Sequence, residues 1–250
     1  MHLKLRIAYD GSHFAGWQSQ SHGNTIQDAI EKAFIEIVGH RIILHGAGRT
    51  DAGVHALAQI AHVNVGEITR KMKDPQRWLT ALNASLPPTL RILKIQCVSE
   101  KFHARFSAKS KTYRYLIWND MLLPPLLHQR AWQLHGPIDI TLLKKCAKAI
   151  TGTHDFRSFT ARSGAARENT TRTLHSVQII RRGKEVRLTF NGNGFLYHMV
   201  RMLVGAMVRV AQGKMSHQEF LERLYSKKRP KAPFTAPASG LYLTKICYQK

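Results

Sequence analysis

Apolar side chains occupy every second position from Leu3 to Tyr9 (Leu3, Leu5, Ile7, Tyr9). The run stops at Asp10-Gly11, which predicts a half-buried strand closed by a turn. After a polar, glycine-containing stretch the spacing changes to a helical one. Ile26, Ile30, Ala33, Phe34 and Ile37 form a stripe, with Thr25 as cap, Asp28 three residues on, and Gly39 as the stop. A strand is expected over 41–44, running into a glycine-rich loop, and a second apolar segment over 57–65. Asp74-Pro75 reads as an N-cap with proline at N1, opening a helix over 76–84; Pro87-Pro88 breaks the chain, and 90–98 returns as a strand.

The second half follows the same style. Strands are predicted over 111–118, 173–180 and 185–190, the last two joined through Arg181-Arg182-Gly183-Lys184 as a hairpin. Pro124-Pro125 marks a loop. Asp139 caps a helix bearing Leu142, Leu143, Cys146, Ala147 and Ile150. A long helix, apolar nearly all round, is expected over 195–211 and belongs in a core. Ser216 and Glu219 form a capping box for a last helix, and 241–248 closes as a strand. The order predicts an α+β protein of two similar halves, 1–105 and 106–250, presenting a large sheet with a seam between them. No sequence repeat proves a duplication.

Composition changes the picture mainly through charge. Thirty-eight Lys and Arg against fifteen Asp and Glu leave a formal charge of +23. Such an excess repels itself and is most simply rationalised by a polyanionic partner; a merely solubilising surface needs far less. No stretch reaches eighteen apolar residues and no basic amphipathic helix stands alone, so a membrane role is not expected. Cys97, Cys146 and Cys247 are isolated and odd in number, which fits a reducing cytoplasm rather than a disulfide framework. The first residues read at once as a strand, without the apolar core of a secretory signal.

Few acids are available for chemistry. Asp10 ends a strand, Asp28, Asp74 and Asp139 look like caps, and Glu31 and Glu36 lie on a polar helix face. Asp51 and, less clearly, Asp155 are left in loops without an obvious local duty. Asp51 follows Arg49 within HGAGRTDAGVHA, whose glycines permit tight turning and close approach to a ligand. An Asx-type turn is the alternative duty for it. The stretch lacks the Walker lysine pattern and the spacing of a dinucleotide fingerprint, and none of the fourteen histidines shows a metal-ligand spacing.

Six blocks occur in order: YDGSHFAGWQSQ, GAGRTDAGVHA, ALNASLPP, FHARFSAKSKTYRY, GTHDFRSF and NGFLYHMVRMLVG. Together they resemble the tRNA pseudouridine synthase A family over residues 5–247. The resemblance implies the pseudouridine synthase fold, with two RRM- or ferredoxin-like halves sharing a mainly antiparallel sheet and a central RNA-binding, catalytic cleft. It implies isomerisation of uridine to pseudouridine at positions 38, 39 and 40 in the anticodon stem–loop, and a homodimer. Asp51 becomes the essential catalytic residue, acting on the ribose carbon as cationic character develops there or in proton abstraction. No cofactor or metal is expected, because product and substrate share the same atoms. A glycosidase-like carboxylate pair would hold a water that this reaction must not use.

Tyr113 matches the family tyrosine that stacks on the target uracil; as a strand aromatic it is otherwise a packing residue. Arg49 resembles the arginine that helps displace the target nucleotide, its bland alternative being to brace the loop. Arg201 interrupts an apolar helix, where an arginine needs a carboxylate. Asp51 is the expected partner, matching the family pattern, with Asp155 or a snorkelling path to solvent as alternatives. His55 is expected to brace the catalytic loop at the substrate site. Lys101, Arg105, Lys109, Lys111 and Arg114, interleaved with Phe102, His103 and Phe106, form an expected RNA-facing strip, and Lys227–Lys231 a second. Residues 21–24 and 227–231 are the least constrained by the resemblance. Two rival functions are a basic RNA-binding module without catalysis and a nucleoside hydrolase using Asp51. The first leaves an acid beside phosphates unexplained; the second predicts release of free base.

Overall fold

The computed structural model describes residues 1–21, 23–66, 73–161, 169–226, 228 and 234–248. The chain divides into two compact units, Met1–Lys109 with Tyr242–Lys250, and Ser110–Leu241. The division differs from the expected 1–105 and 106–250 in its last strand, which returns to the first unit. The physical reason is a backbone ladder: β10 (Leu241–Tyr248) pairs in parallel with β3 (His55–Asn64), Tyr242 opposite His55 and Leu243 opposite Ala56.

In the first unit the strand order is β4 (Leu90–Cys97), β1 (His2–Tyr9), β3, β10. The pairs β1–β3 and β1–β4 are antiparallel, so the parallel β10 makes the sheet mixed. Leu3, Leu5 and Ile7 are fully buried on one face of β1, as their spacing predicts. The opposite face carries Lys4 beside His62 and Arg6 beside Ile60. Helices α1 (Ile26–Val38) and α2 (Pro75–Ser85) meet through the Phe34 and Trp78 rings, 5.5 Å apart. The caps are those expected: Thr25 Oγ1 accepts the Asp28 N–H, Gly39 takes the left-handed conformation, and Asp74 accepts the Gln76 N–H.

The expected strand over 41–44 is absent. Only His45–Gly46 (β2) pairs, with His62 and Ala61. The Leu44 N–H donates to Glu31 Oε1 at 2.8 Å, so this backbone group is satisfied by a helix side chain instead of a sheet ladder. Glu31 therefore has a tertiary duty that its place on a helix face does not reveal.

The second unit orders β5 (Ala108–Trp118), β9 (Glu185–Gly192), β8 (Thr171–Arg182) and β7 (Gly152–Asp155), all antiparallel, with β6 (Trp132–Gln133) alongside β5. Arg182 faces Glu185, so the hairpin loop is the two residues Gly183-Lys184, and the strands run further than hydrophobicity alone predicts. Three helices complete the unit: α3 (Ile140–Ile150), α4 (Met199–Ala211) and α5 (His217–Tyr225). Asp139 and the Ser216/Glu219 capping box begin α3 and α5 as expected.

Helix α4 starts four residues later than its apolar pattern predicts. His198 sits at φ 59°, which ends the preceding segment, and Met199 N–H bonds Leu196 O in a turn at 3.1 Å. The Tyr197 carbonyl accepts from Thr160 Oγ1 at 2.9 Å and is thereby held outside the helix. Of Phe195, Leu196 and Tyr197, which continue the apolar pattern, Leu196 is buried and Tyr197 is exposed, and none of them is helical.

Candidate active site

In the first unit the loop after β2 is interlocked with the turn after β1. Ala47 N–H donates to Ile60 O at 2.7 Å, Gln59 Nε2 to Gly48 O at 2.7 Å, and Trp17 N–H to Thr50 O at 3.0 Å. The buried Tyr9 hydroxyl and Thr50 Oγ1 are 2.8 Å apart, and burial raises the Tyr9 pKa, keeping it neutral. Glycines make the approach possible. A Cβ on Gly11 would lie 2.1 Å from Val54 O; one on Gly16, at φ 95°, would lie 2.8 Å from Thr50 O and 3.1 Å from Ala52 N. Gly46 lies against the buried Trp17 indole, 2.5 Å from where its Cβ would be. The half-buried Asp51 sits at the tip of this construction, its carbonyl closing the turn by accepting Val54 N–H at 3.1 Å. With the flanking peptides bound on both sides, the carboxylate is carried on fixed backbone.

His55, expected at the substrate, is 2% exposed. Its Nδ1 receives Gly11 N–H at 3.1 Å and lies 3.2 Å from Asp10 Oδ1, while its ring stacks on Tyr242 at 4.7 Å. The ring is buried, and these bonds tie the end of the loop to the Asp10-Gly11 turn. Asp10 also accepts from Ser12 N and Oγ at 3.1 and 2.6 Å, so it does more than end a strand. Arg49 is exposed, and its Nε donates to Gln18 Oε1 at 3.1 Å. Gln18 in turn donates to Gln27 at 2.7 Å, and Gln27 to Glu31 at 2.8 Å. Neither glutamine stands out in the sequence. The one available signal is a polar side chain, Gln27, adjoining the apolar stripe of α1.

Tyr113 and Arg201 belong to the second unit. Burial alternates along β5, putting Tyr113, Tyr115 and Ile117 on the buried face; Tyr113 is 7% exposed and meets Phe195 edge-on at 5.0 Å. Arg201 lies in the first turn of α4, not its middle, with Nε donating to Ala236 O at 2.8 Å. There its charge adds to the positive end of the helix dipole, a placement that favours an anion nearby. Gly205 lets the 234–236 segment approach α4, since a Cβ would lie 2.7 Å from Phe234 O. Asp155, the other carboxylate left over from sequence, is locally engaged: it accepts from Thr170 Oγ1 at 2.5 Å and Arg157 N at 3.0 Å.

The expected basic strip does not lie on one face. Lys101, Arg105 and Lys109 are exposed in the first unit, whereas Lys111 and Arg114 follow in β5 on opposite faces, and Arg114 Nε is buried without a hydrogen bond. Of Lys227–Lys231 only Lys228 lies within the described residues. His45, His62 and His103 cluster with centroids 4.6 to 5.8 Å apart, His45 stacked on His62 and His103 tilted against both. Burial, with His103 and His45 adding to it, lowers the His62 pKa to about 4. Among the described residues no group of three or more His, Cys, Asp or Glu forms a metal site, and no helix is long and apolar enough to cross a membrane.

Comparison with known proteins bears on both units. The tRNA pseudouridine synthase family profile matches residues 6–107 and 146–249. The chain is 41% identical over 246 residues to tRNA pseudouridine synthase A of Acetivibrio thermocellus, covering 98% of this chain and 99% of that protein. It is 39% identical to the protein of the same name from Thermoanaerobacter sp. (98% and 99% covered), and 41% identical to that from Akkermansia muciniphila (98% and 94%). Agreement of this extent, on a profile that takes in both the Asp51 loop and α4, means that the chain belongs to the tRNA pseudouridine synthase A family.

Proposed function

We propose that the chain, by its family a tRNA pseudouridine synthase and so an isomerase acting on tRNA, converts uridines 38, 39 and 40 of the anticodon stem–loop, working as a cytoplasmic homodimer. Asp51 is the catalytic carboxylate and bears on ribose C1′. The C1′–N1 bond breaks, the base turns, C5 bonds to C1′, a proton leaves C5, and N1 gains one, so no atom is added or lost. Arg201 is the cation that pairs with Asp51 and aims it. Arg49 occupies the place of the displaced nucleotide, offsetting an unstacking cost of a few kcal/mol. Tyr113 supports the uracil while it is detached. Lys101, Arg105, Lys109 and Lys111 neutralise phosphates; the buried Nε of Arg114 makes it the weakest member of that set.

The observation that carries this reading is the locking of the Asp51 loop by Gly11, Gly16 and Gly46. A loop aspartate with only a capping duty needs no such buttress, whereas a reacting carboxylate must be held in place before the substrate arrives. The test is incubation of unmodified bulk tRNA with the protein, followed by mapping of pseudouridine and assay of free uracil. The expected result is pseudouridine at 38–40 and no uracil. Free uracil would favour the hydrolase, and bound but unchanged tRNA the non-catalytic binder.

A further inference from the structure

Phe106 is the most exposed aromatic ring among the described residues, at 77%. Its presentation is built. The turn 103–107 is closed by Ser107 N–H on His103 O at 2.9 Å and by His103 N–H on Ser107 Oγ at 3.1 Å. His103 Nδ1 faces the Arg105 and Phe106 N–H groups at 3.1 and 3.3 Å. Beneath the turn, Ala104 is buried; its N–H donates to His62 Nδ1 at 3.1 Å, and its carbonyl accepts the Tyr248 hydroxyl at 2.8 Å. One side of the phenyl ring is backed by His103, centroid to centroid 4.3 Å, and Arg105 stands 5.8 Å from it. None of the hydrogen bonds that fasten the turn is made by the phenyl ring, which stands in water as an aromatic surface next to Arg105, with the exposed Lys101 and Lys109 close by in the sequence.

We infer that Phe106 is a stacking platform for an unpaired nucleotide of the tRNA, separate from the uridine that reacts. The inference rests on the tRNA reading above and adds a contact to it. A flat aromatic face beside cations matches the chemistry of an unstacked base with its phosphate. The same local cations oppose an identical patch of a second copy at that place. Prior fixing of the turn means that little ordering entropy remains to be lost on binding.

The test is the dissociation constant of an unmodified tRNA transcript for wild type, F106A, F106L, F106W and R105Q, each over a range of salt, with sedimentation velocity of the free proteins. F106A and F106L should weaken binding roughly ten-fold at unchanged salt slope, since base–aromatic stacking is nearly independent of salt. F106W should bind as wild type does, and R105Q should reduce the slope by about one. Wild-type affinity in F106L and F106A would overturn the platform while leaving the tRNA reading intact. A changed sedimentation coefficient in F106A would instead assign the ring to a protein interface. A wild-type chain that binds no tRNA would overturn the underlying reading, and the platform with it.

Discussion

At the scale of single residues, the catalytic loop owes its shape to absent side chains. Gly11 has no room for a methyl group, since its Cβ would fall 2.1 Å from the Val54 carbonyl carried by the Asp51 turn. G11A should therefore move the loop and cost about 2 kcal/mol or more, visible as a lowered melting temperature together with loss of turnover. A variant with wild-type melting and activity would show that the turns are not interlocked. His62 makes a different prediction. Its folded pKa of about 4 lies below the ordinary 6.5, so between these values the unfolded chain binds the extra proton. Stability is thus complete above pH 6.5 and falls as pH drops towards 4, by at most about 3 kcal/mol. H62N keeps an acceptor for the Ala104 N–H without a titrating ring, and its stability should be flatter over that window; chemical denaturation at several pH values decides. Asp51 is legible in the sequence because Asp28, Asp74 and Asp139 read as helix caps whereas it does not, and because its glycine setting is unusual. Gln18, Gln27 and Asp10 are not, because their duties arise only when distant turns are brought together.

At the scale of elements, termini are legible wherever a side chain defines them and obscure wherever tertiary contacts do. Thr25, Asp74, Asp139 and Ser216 each accept a backbone N–H of the first turn, and residue type and spacing alone mark each of them as a cap. The start of α4 carries no such mark. Phe195–Tyr197 continue its apolar pattern, but the left-handed His198 and the hold of Thr160 on the Tyr197 carbonyl end the continuity. The consequence is chemical, because Arg201 moves from mid-helix to the positive end of the dipole. The missing strand over 41–44 has the same kind of cause, a Glu31 carboxylate taking a backbone N–H. For α5, S216A removes one half of a reciprocal capping box and should cost about 1 kcal/mol. Urea unfolding should show the loss without a change in the slope; no loss would mean that packing of Phe220 and Leu224 alone sets the helix.

At the scale of the whole molecule, two α+β units of one chain share a positive charge far beyond what solubility needs. Ordered motif blocks are sufficient to read the fold class and family, since they fall on strand ends, loops and the ends of α2 and α4 that shape the units. The assignment of the last strand is not readable, because Leu241–Tyr248 carries the same alternation whichever sheet receives it. Binding of tRNA should weaken steeply with salt, its logarithm falling linearly as counterion release requires, whereas a flat dependence would separate the charge from RNA recognition. The central claim is that one fixed carboxylate rearranges a nucleobase on its own sugar. Pseudouridine formed by D51N on unmodified tRNA, at protein concentrations saturating the RNA, measures this most directly. We predict retained tRNA binding with no detectable pseudouridine; formation at the wild-type rate would contradict the account.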